Sequence, residues 1–95
     1  MEWDPAKERA NRAKHGLGFD AVRVLFEGRQ DYLVIYDEEH GEDEDRFIAI
    51  GLVPRGVVVV VHTEPRDDVI RIISARLATP TERDLFHQHP KGRKQ

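Results

Sequence analysis

Residues 46 to 63 read RFIAIGLVPRGVVVVVHT, and this stretch decides the fold. A mostly apolar run, Arg46 to Val53, ends at Pro54-Arg55-Gly56, and a second run, Val57 to Thr63, starts at once. Proline and glycine between two such runs make a tight hairpin turn, so the two strands are antiparallel. The second run is apolar at nearly every position instead of alternating. That pattern predicts a central strand covered on both faces.

Two further strands flank this hairpin, DYLVIYD (31–37) and VIRIISA (69–75). The acidic segment DEEHGEDED (37–45) links the first of them to the hairpin, and Glu64 to Asp68 link the second. Links this short favour an antiparallel meander. Ahead of the strands, Asp4 is a good N-cap and Pro5 suits the first helical position. AKERANRAKH then runs helically to Gly16, a usual C-terminal stop. The apolar stripe of this helix is only Ala6, Ala10 and Ala13, with Trp3 just ahead, so it predicts weak anchoring on the sheet. A second helix follows, with Asp20 as its cap, Phe19 placed to staple onto Val24, and Val22, Leu25 and Phe26 on its apolar face. Gly28 closes it. Thr79-Pro80-Thr81-Glu82 is a capping box that starts a last helix, ending before Pro90 and the basic tail Lys91-Gly92-Arg93-Lys94. The reading is α+β: two N-terminal helices, a four-stranded antiparallel twisted sheet and a C-terminal helix, in the order ααββββα.

At 95 residues and 39% hydrophobic, the chain predicts one domain, 1–95, with a small core. It has no cysteine, which fits a reducing compartment. The longest apolar run, Val57 to Val61, falls far short of the roughly 18 residues that cross a membrane. MEWDPAKERA has no apolar core of a signal peptide, so the expectation is a soluble cytoplasmic protein without a membrane partner. The net charge is −3, but DEEHGEDED holds seven acids and no Lys or Arg, and the remainder carries +4. Net charge therefore does not exclude a nucleic-acid partner.

The chain has no Gly-rich phosphate loop, Cys/His zinc pattern or Gly-x-Ser-x-Gly elbow. His87 and His89, two apart on a helix, point to different sides and read as solvated more readily than as metal ligands. DEEHGEDED lacks the alternating spacing of a Ca²⁺ loop and reads as a solvated acidic segment or a neutraliser of arginines. Neither cofactor nor metal is expected. Lys14-His15-Gly16 sets a histidine at the negative end of a helix dipole, a position that suits either a proton carrier or a simple C-terminal cap. Arg46 opens one strand, and Arg71 and Arg76 bracket another with Ser74 between them. Arginine forks match phosphate geometry and stabilise charge on a phosphoryl group. RNA carries its own nucleophile, the 2′-hydroxyl, so its cleavage needs only a base, an acid and cations. His15 or Glu64 could move the proton. The plainer alternative is that Arg71 and Arg76 pair with acids across strands and fix the register.

Trp3-Asp4-Pro5-x-Lys7, Asn11, Lys14-His15-Gly16, Phe19, Phe26, Asp45-Arg46, Gly51, Thr63-Glu64 and RIISAR-x-A (71–78) together resemble the BrnT toxins, the ribonuclease halves of type II toxin–antitoxin pairs. The resemblance runs from Trp3 to about Phe86 and implies a RelE-like fold. It implies RNA cleavage that stops translation without a metal, inhibition by a BrnA-like ribbon-helix-helix antitoxin, and DNA contact only through that antitoxin. The family often has tyrosine near Phe86, Tyr-Thr at His62-Thr63 and Glu-Arg at Asp45-Arg46. With it, the candidate catalytic residues are His15, Arg46, Arg71, Arg76 and Glu64, and the candidate RNA-binding residues are Lys7, Lys14 and Ser74. A second reading is a non-catalytic module that binds a ribbon-helix-helix partner, for which the sparse apolar stripe of the first helix leaves room. Direct DNA binding has no helix-turn-helix pattern behind it.

Overall fold

A computed structural model describes residues 1–27, 32–36 and 45–88. Its elements are β1 (Glu2–Trp3), α1 (Pro5–His15), α2 (Phe19–Glu27), β2 (Tyr32–Tyr36), β3 (Arg46–Val53), β4 (Gly56–Arg66), β5 (Val69–Leu77) and α3 (Pro80–Gln88). The expected meander is present: β2–β3, β3–β4 and β4–β5 are all antiparallel. The expectation of four antiparallel strands is corrected by β1, which adds a fifth strand parallel to β5 and gives a mixed sheet in the order β1-β5-β4-β3-β2. Two residues show no alternation, and their partners Arg71 and Ile72 are far away in sequence. No local pattern announces such a pairing.

Turn chemistry sets the hairpins. Val53 pairs with Gly56 around Pro54-Arg55, and Gly56 takes φ 129°, which a side chain would resist. β4 runs on to Arg66, so the second link is only the two-residue turn Asp67-Asp68, with Asp68 at φ 63°. The β4–β5 register shifts between Val61 and His62 and again between Thr63 and Arg66. Pro65, which has no N–H for the ladder, lies in the second shift.

Paired residues share a face of a sheet, so the register sorts the side chains. On one face, Leu17 and the α2 residues Phe19, Val22 and Leu25 pack on Ala49, Val53, Val58, Val60, Ile72 and Ala75. The other carries Ile50, Val57, Val59 and Ala78, with Leu33, Ile48 and Phe86 against them. Val57 to Val60 are all buried, as expected of a doubly covered central strand. Gly51 is required by the first face: a Cβ there would lie 2.9 Å from Tyr32 Cβ and press on Leu25 Cδ1.

The helix signals hold at two of three starts. Asp4 Oδ1 accepts from Ala6 N at 2.9 Å, and Gly16 ends α1 at φ 67°. Thr79 and Glu82 form the reciprocal capping box, with N–H to oxygen distances of 3.2 and 2.9 Å. Asp20, however, lies inside the first turn of α2, which begins at Phe19. Phe19 is fully buried against Trp3 in an edge-on contact at 5.8 Å, while Val24 is exposed, so there is no staple.

The alanine stripe of α1 is also corrected. Ala6, Ala10 and Ala13 are exposed, and the helix buries Asn11. Past the end of β1, the outer edge of β5 is free, and the Asn11 carboxamide takes it. Its Nδ2 donates to Ala75 O at 2.7 Å and to Leu17 O at 2.8 Å, and its Oδ1 accepts from Ala75 N at 3.0 Å. One side chain thus continues the sheet edge and fixes α1 alongside β5. No described helix is long and apolar enough to cross a membrane.

Candidate nucleic-acid interface

The register puts Glu2, Arg71, Thr63 and Arg46 in one row across β1, β5, β4 and β3. Partners share a face, so these four side chains emerge together on the side away from α2, along with Ser74 and Arg76, which pair with Val61 and Val59. α3 covers only part of this side; none of its residues is buried, and Leu85 is 46% exposed. A cavity of about 580 Å³ opens beside Glu2, Arg71 and Arg46 of this row, with Lys7, Trp3, Asp4, Ile72 and Ile73 completing its lining; the buried Thr63 does not line it. A shallower one adjoins it, sharing Lys7 and Ile73 and adding Lys14, His15, Ser74 and Asn11. Together they form a basic surface of two lysines, two arginines and a histidine at the seam between α1 and β5.

The arginines differ in what holds them. Arg71 binds Glu2 through Nε at 2.7 Å and Nη2 at 2.6 Å, and Arg66 reaches the other Glu2 oxygen at 2.9 Å. The Arg71 guanidinium, more than Arg66, holds the Glu2 carboxyl below its usual range. Arg76 makes a two-pronged pair with Glu82, at 2.7 and 2.8 Å. That pair draws the Glu82 carboxyl down to about 2. Among the described residues, Lys7, Lys14 and Arg46 make no ion pair, and all three line the cavities. The plainer alternative is therefore realised for Arg71, whose partner Glu2 lies directly across the β1–β5 strand pair, while Arg76 pairs with a carboxylate of α3 instead of one across strands.

Six of the eight expected residues, Lys7, Lys14, His15, Arg46, Arg71 and Ser74, line the joined cavities. Arg76 shares the sheet face but lines neither, being occupied by α3 through Glu82. Glu64 stands apart, in a cavity with Pro65, Arg66, Asp67 and Asp68. Strand alternation sets Glu64 on the same side as His62, which packs on Phe26 of α2, and so away from His15. Most of the acidic segment, residues 37–44, and His89 with the basic tail lie outside the described residues. Among the described residues, no three His, Asp or Glu side chains are grouped to hold a metal ion.

His62, where the family often has tyrosine, points into the core. It is stacked on Phe47 at 5.6 Å and edge-on to Phe26 at 5.1 Å, and neither ring nitrogen has a hydrogen-bond partner among the described residues. Burial pushes its pKa down to about 4, against a weaker opposing effect of the Thr63 backbone. Below the ordinary value near 6.5 the unfolded chain takes up a proton that the folded chain refuses until about pH 4. Stability therefore falls as pH drops through this window, by up to about 1.4 kcal/mol per unit and about 3 kcal/mol in all. His62→Phe keeps the ring stack and removes the titration. Denaturant unfolding at pH 7, 5.5 and 4.5 should show the variant's advantage growing towards acid; an advantage that is flat with pH would rule out a buried neutral imidazole.

Comparisons with known proteins give a family match and a fold match. Residues 3–82 match the sequence model of a family described as the ribonuclease toxin, BrnT, of type II toxin–antitoxin systems. The 1.1 Å crystal structure of the Brucella abortus ribonuclease toxin BrnT is similar, with a TM-score of 0.66 and 29% sequence identity over 83% of this chain and 97% of that one. No curated protein matches by sequence.

Proposed function

Because the chain belongs to the BrnT family of ribonuclease toxins of type II toxin–antitoxin systems, we propose that it is an endoribonuclease that cuts RNA through the substrate's own 2′-hydroxyl. The observation that carries this reading is the joined basic cavity in which Lys7, Arg46 and Arg71 adjoin Lys14 and His15. The 2′-oxygen bonds to the adjacent phosphorus as the bond from phosphorus to O5′ breaks, leaving a 2′,3′-cyclic phosphate and a 5′-hydroxyl. Charge that builds on the phosphoryl oxygens is met by Arg46, Arg71 and Lys7; of these, Arg71 is held beforehand by Glu2. His15 carries one of the two protons, from the 2′-hydroxyl or to the leaving O5′, and Lys14 binds a flanking phosphate. Ser74 donates a hydrogen bond at the rim. Arg76 joins only when Glu82 lets it go, and Glu64 has no part in the step.

The reaction so written uses side-chain cations where other nucleases use metal ions, so it should persist in excess EDTA. Incubating the purified protein with RNA under EDTA should yield fragments with cyclic-phosphate and 5′-hydroxyl ends; intact RNA, or 5′-phosphate ends, would reject the mechanism. In the cell a ribbon-helix-helix antitoxin would neutralise the activity, and any operator DNA would be contacted through it. The exposed Ala6, Ala10 and Ala13 stripe favours a second reading, a module that only binds such a partner. No cleavage combined with tight binding of the neighbouring gene's product would select it.

A further inference from the structure

Thr63 is 1% exposed, and among the described residues its hydroxyl has no hydrogen-bond partner. Buried hydroxyls nearly always find a partner, so an orphan calls for an explanation. The register supplies one: Thr63 is the middle member of the row, paired with Arg46 on one side and Arg71 on the other. Neighbouring strands lie about 4.8 Å apart, so the two arginines leave the sheet roughly 10 Å from each other with the threonine midway. Arg46 and Arg71 line the cavity and the buried Thr63 does not, so an anion gripped by both guanidinium forks would be centred over the threonine between them.

We propose that Thr63 Oγ1 is a third arm of the phosphate site, donating to an RNA phosphate oxygen held between Arg46 and Arg71. The inference rests on the reading of this face as the RNA site and deepens it, since it names the residue that fixes the phosphate in register with the sheet. The Glu2 carboxylate on Arg71 is the resident anion at the rim, and an RNA phosphate competes with it for the fork. A hydroxyl kept out of solvent and unpaired costs the free protein stability, and the cost is returned when the anion arrives. His62, the neighbouring orphan, has no such role. It faces the aromatic core, away from both arginines.

The two possible roles of the hydroxyl move different measurements. Valine has the shape of threonine without the oxygen, and it suits a buried strand. Thr63→Val should therefore melt at the same temperature as the parent or higher, yet bind RNA more weakly. The probe is a single-stranded RNA oligonucleotide with 2′-O-methyl groups, which presents phosphates but cannot be cut. A hydrogen bond to a charged oxygen predicts a loss of roughly 10- to 100-fold in affinity for Thr63→Val. Thr63→Ser should restore it, and Thr63→Ala serves if valine's second methyl disturbs the packing. Unchanged affinity in Thr63→Val, with Arg46→Ala impaired, would overturn the role of Thr63 and leave the RNA site standing. It would mean that the hydroxyl is satisfied by a buried water. Failure of the parent protein to bind the oligonucleotide would overturn both. Weakened binding in Thr63→Val by a protein that does not cleave unmodified RNA would uphold the phosphate site and reject the nuclease.

Discussion

Asn11→Ala should lower the unfolding free energy by about 3–5 kcal/mol and the melting temperature by roughly 15–30 °C. The carboxamide makes three buried hydrogen bonds, and its removal strands Ala75 N–H, Ala75 C=O and Leu17 C=O together. Each buried group left unpaired costs about 1–3 kcal/mol, and the total is a large share of the roughly 5–15 kcal/mol that holds a small domain folded. Asn11→Asp should be no better. A carboxylate can still accept from Ala75 N–H, but it faces two carbonyl oxygens to which it cannot donate. The exposed Arg9→Ala on the same helix should stay within about 0.5 kcal/mol and serves as the control. Denaturant titration of the three variants makes the comparison. If Asn11→Ala lost less than about 1 kcal/mol, α1 would be held on β5 by something other than this side chain.

The second large effect concerns chemistry and leaves the fold alone. His15→Ala should slow RNA cleavage by about 10²- to 10⁴-fold, the usual contribution of a positioned acid or base. Because the lysines and arginines beside it hold the phosphates, affinity for an uncleavable RNA should change by less than about threefold, taking binding and chemistry as separate tasks. His15 is half-buried at the end of α1, where Gly16 makes the cap, so truncation removes no core contact. Single-turnover rates together with equilibrium binding separate the two quantities. A rate within tenfold of the parent would assign proton transfer elsewhere.

How far the sequence carries these conclusions depends on the range of the interaction that decides each one. The hairpin of residues 46–63 and the box Thr79-Pro80-Thr81-Glu82 are local signals, and both appear as read. β1 is a pairing between residues almost seventy apart and only two residues long, so it left no trace in the pattern. Asn11 was visible only as part of a family resemblance. Periodicity favoured the alanines of α1, and a polar clamp on a sheet edge has no periodic signature. For the site, strand alternation was enough to set Arg71, Ser74 and Arg76 near one another only because a register shift falls between Val61 and His62. Glu64 failed for the complementary reason: one step along β4 from Thr63, it leaves on the opposite face. The partners that occupy Arg71 and Arg76 are Glu2, across the two-residue strand β1, and Glu82 on α3, and neither placement is visible in local sequence. Thr63 is not legible as a site residue in the sequence, because a buried, unpaired hydroxyl is recognised only from its surroundings.

The central claim is that the cavity between α1 and the sheet grips an RNA backbone through Lys7 and Arg46. Its most direct test is the salt dependence of binding to an uncleavable single-stranded RNA. Each lost phosphate contact lowers the slope of log K against log salt by about 0.7. The double variant Lys7→Ala/Arg46→Ala should lower it by about 1.4 while melting as the parent does. A slope identical to that of the parent would mean that RNA binds some other surface and that this cavity is not the nuclease site.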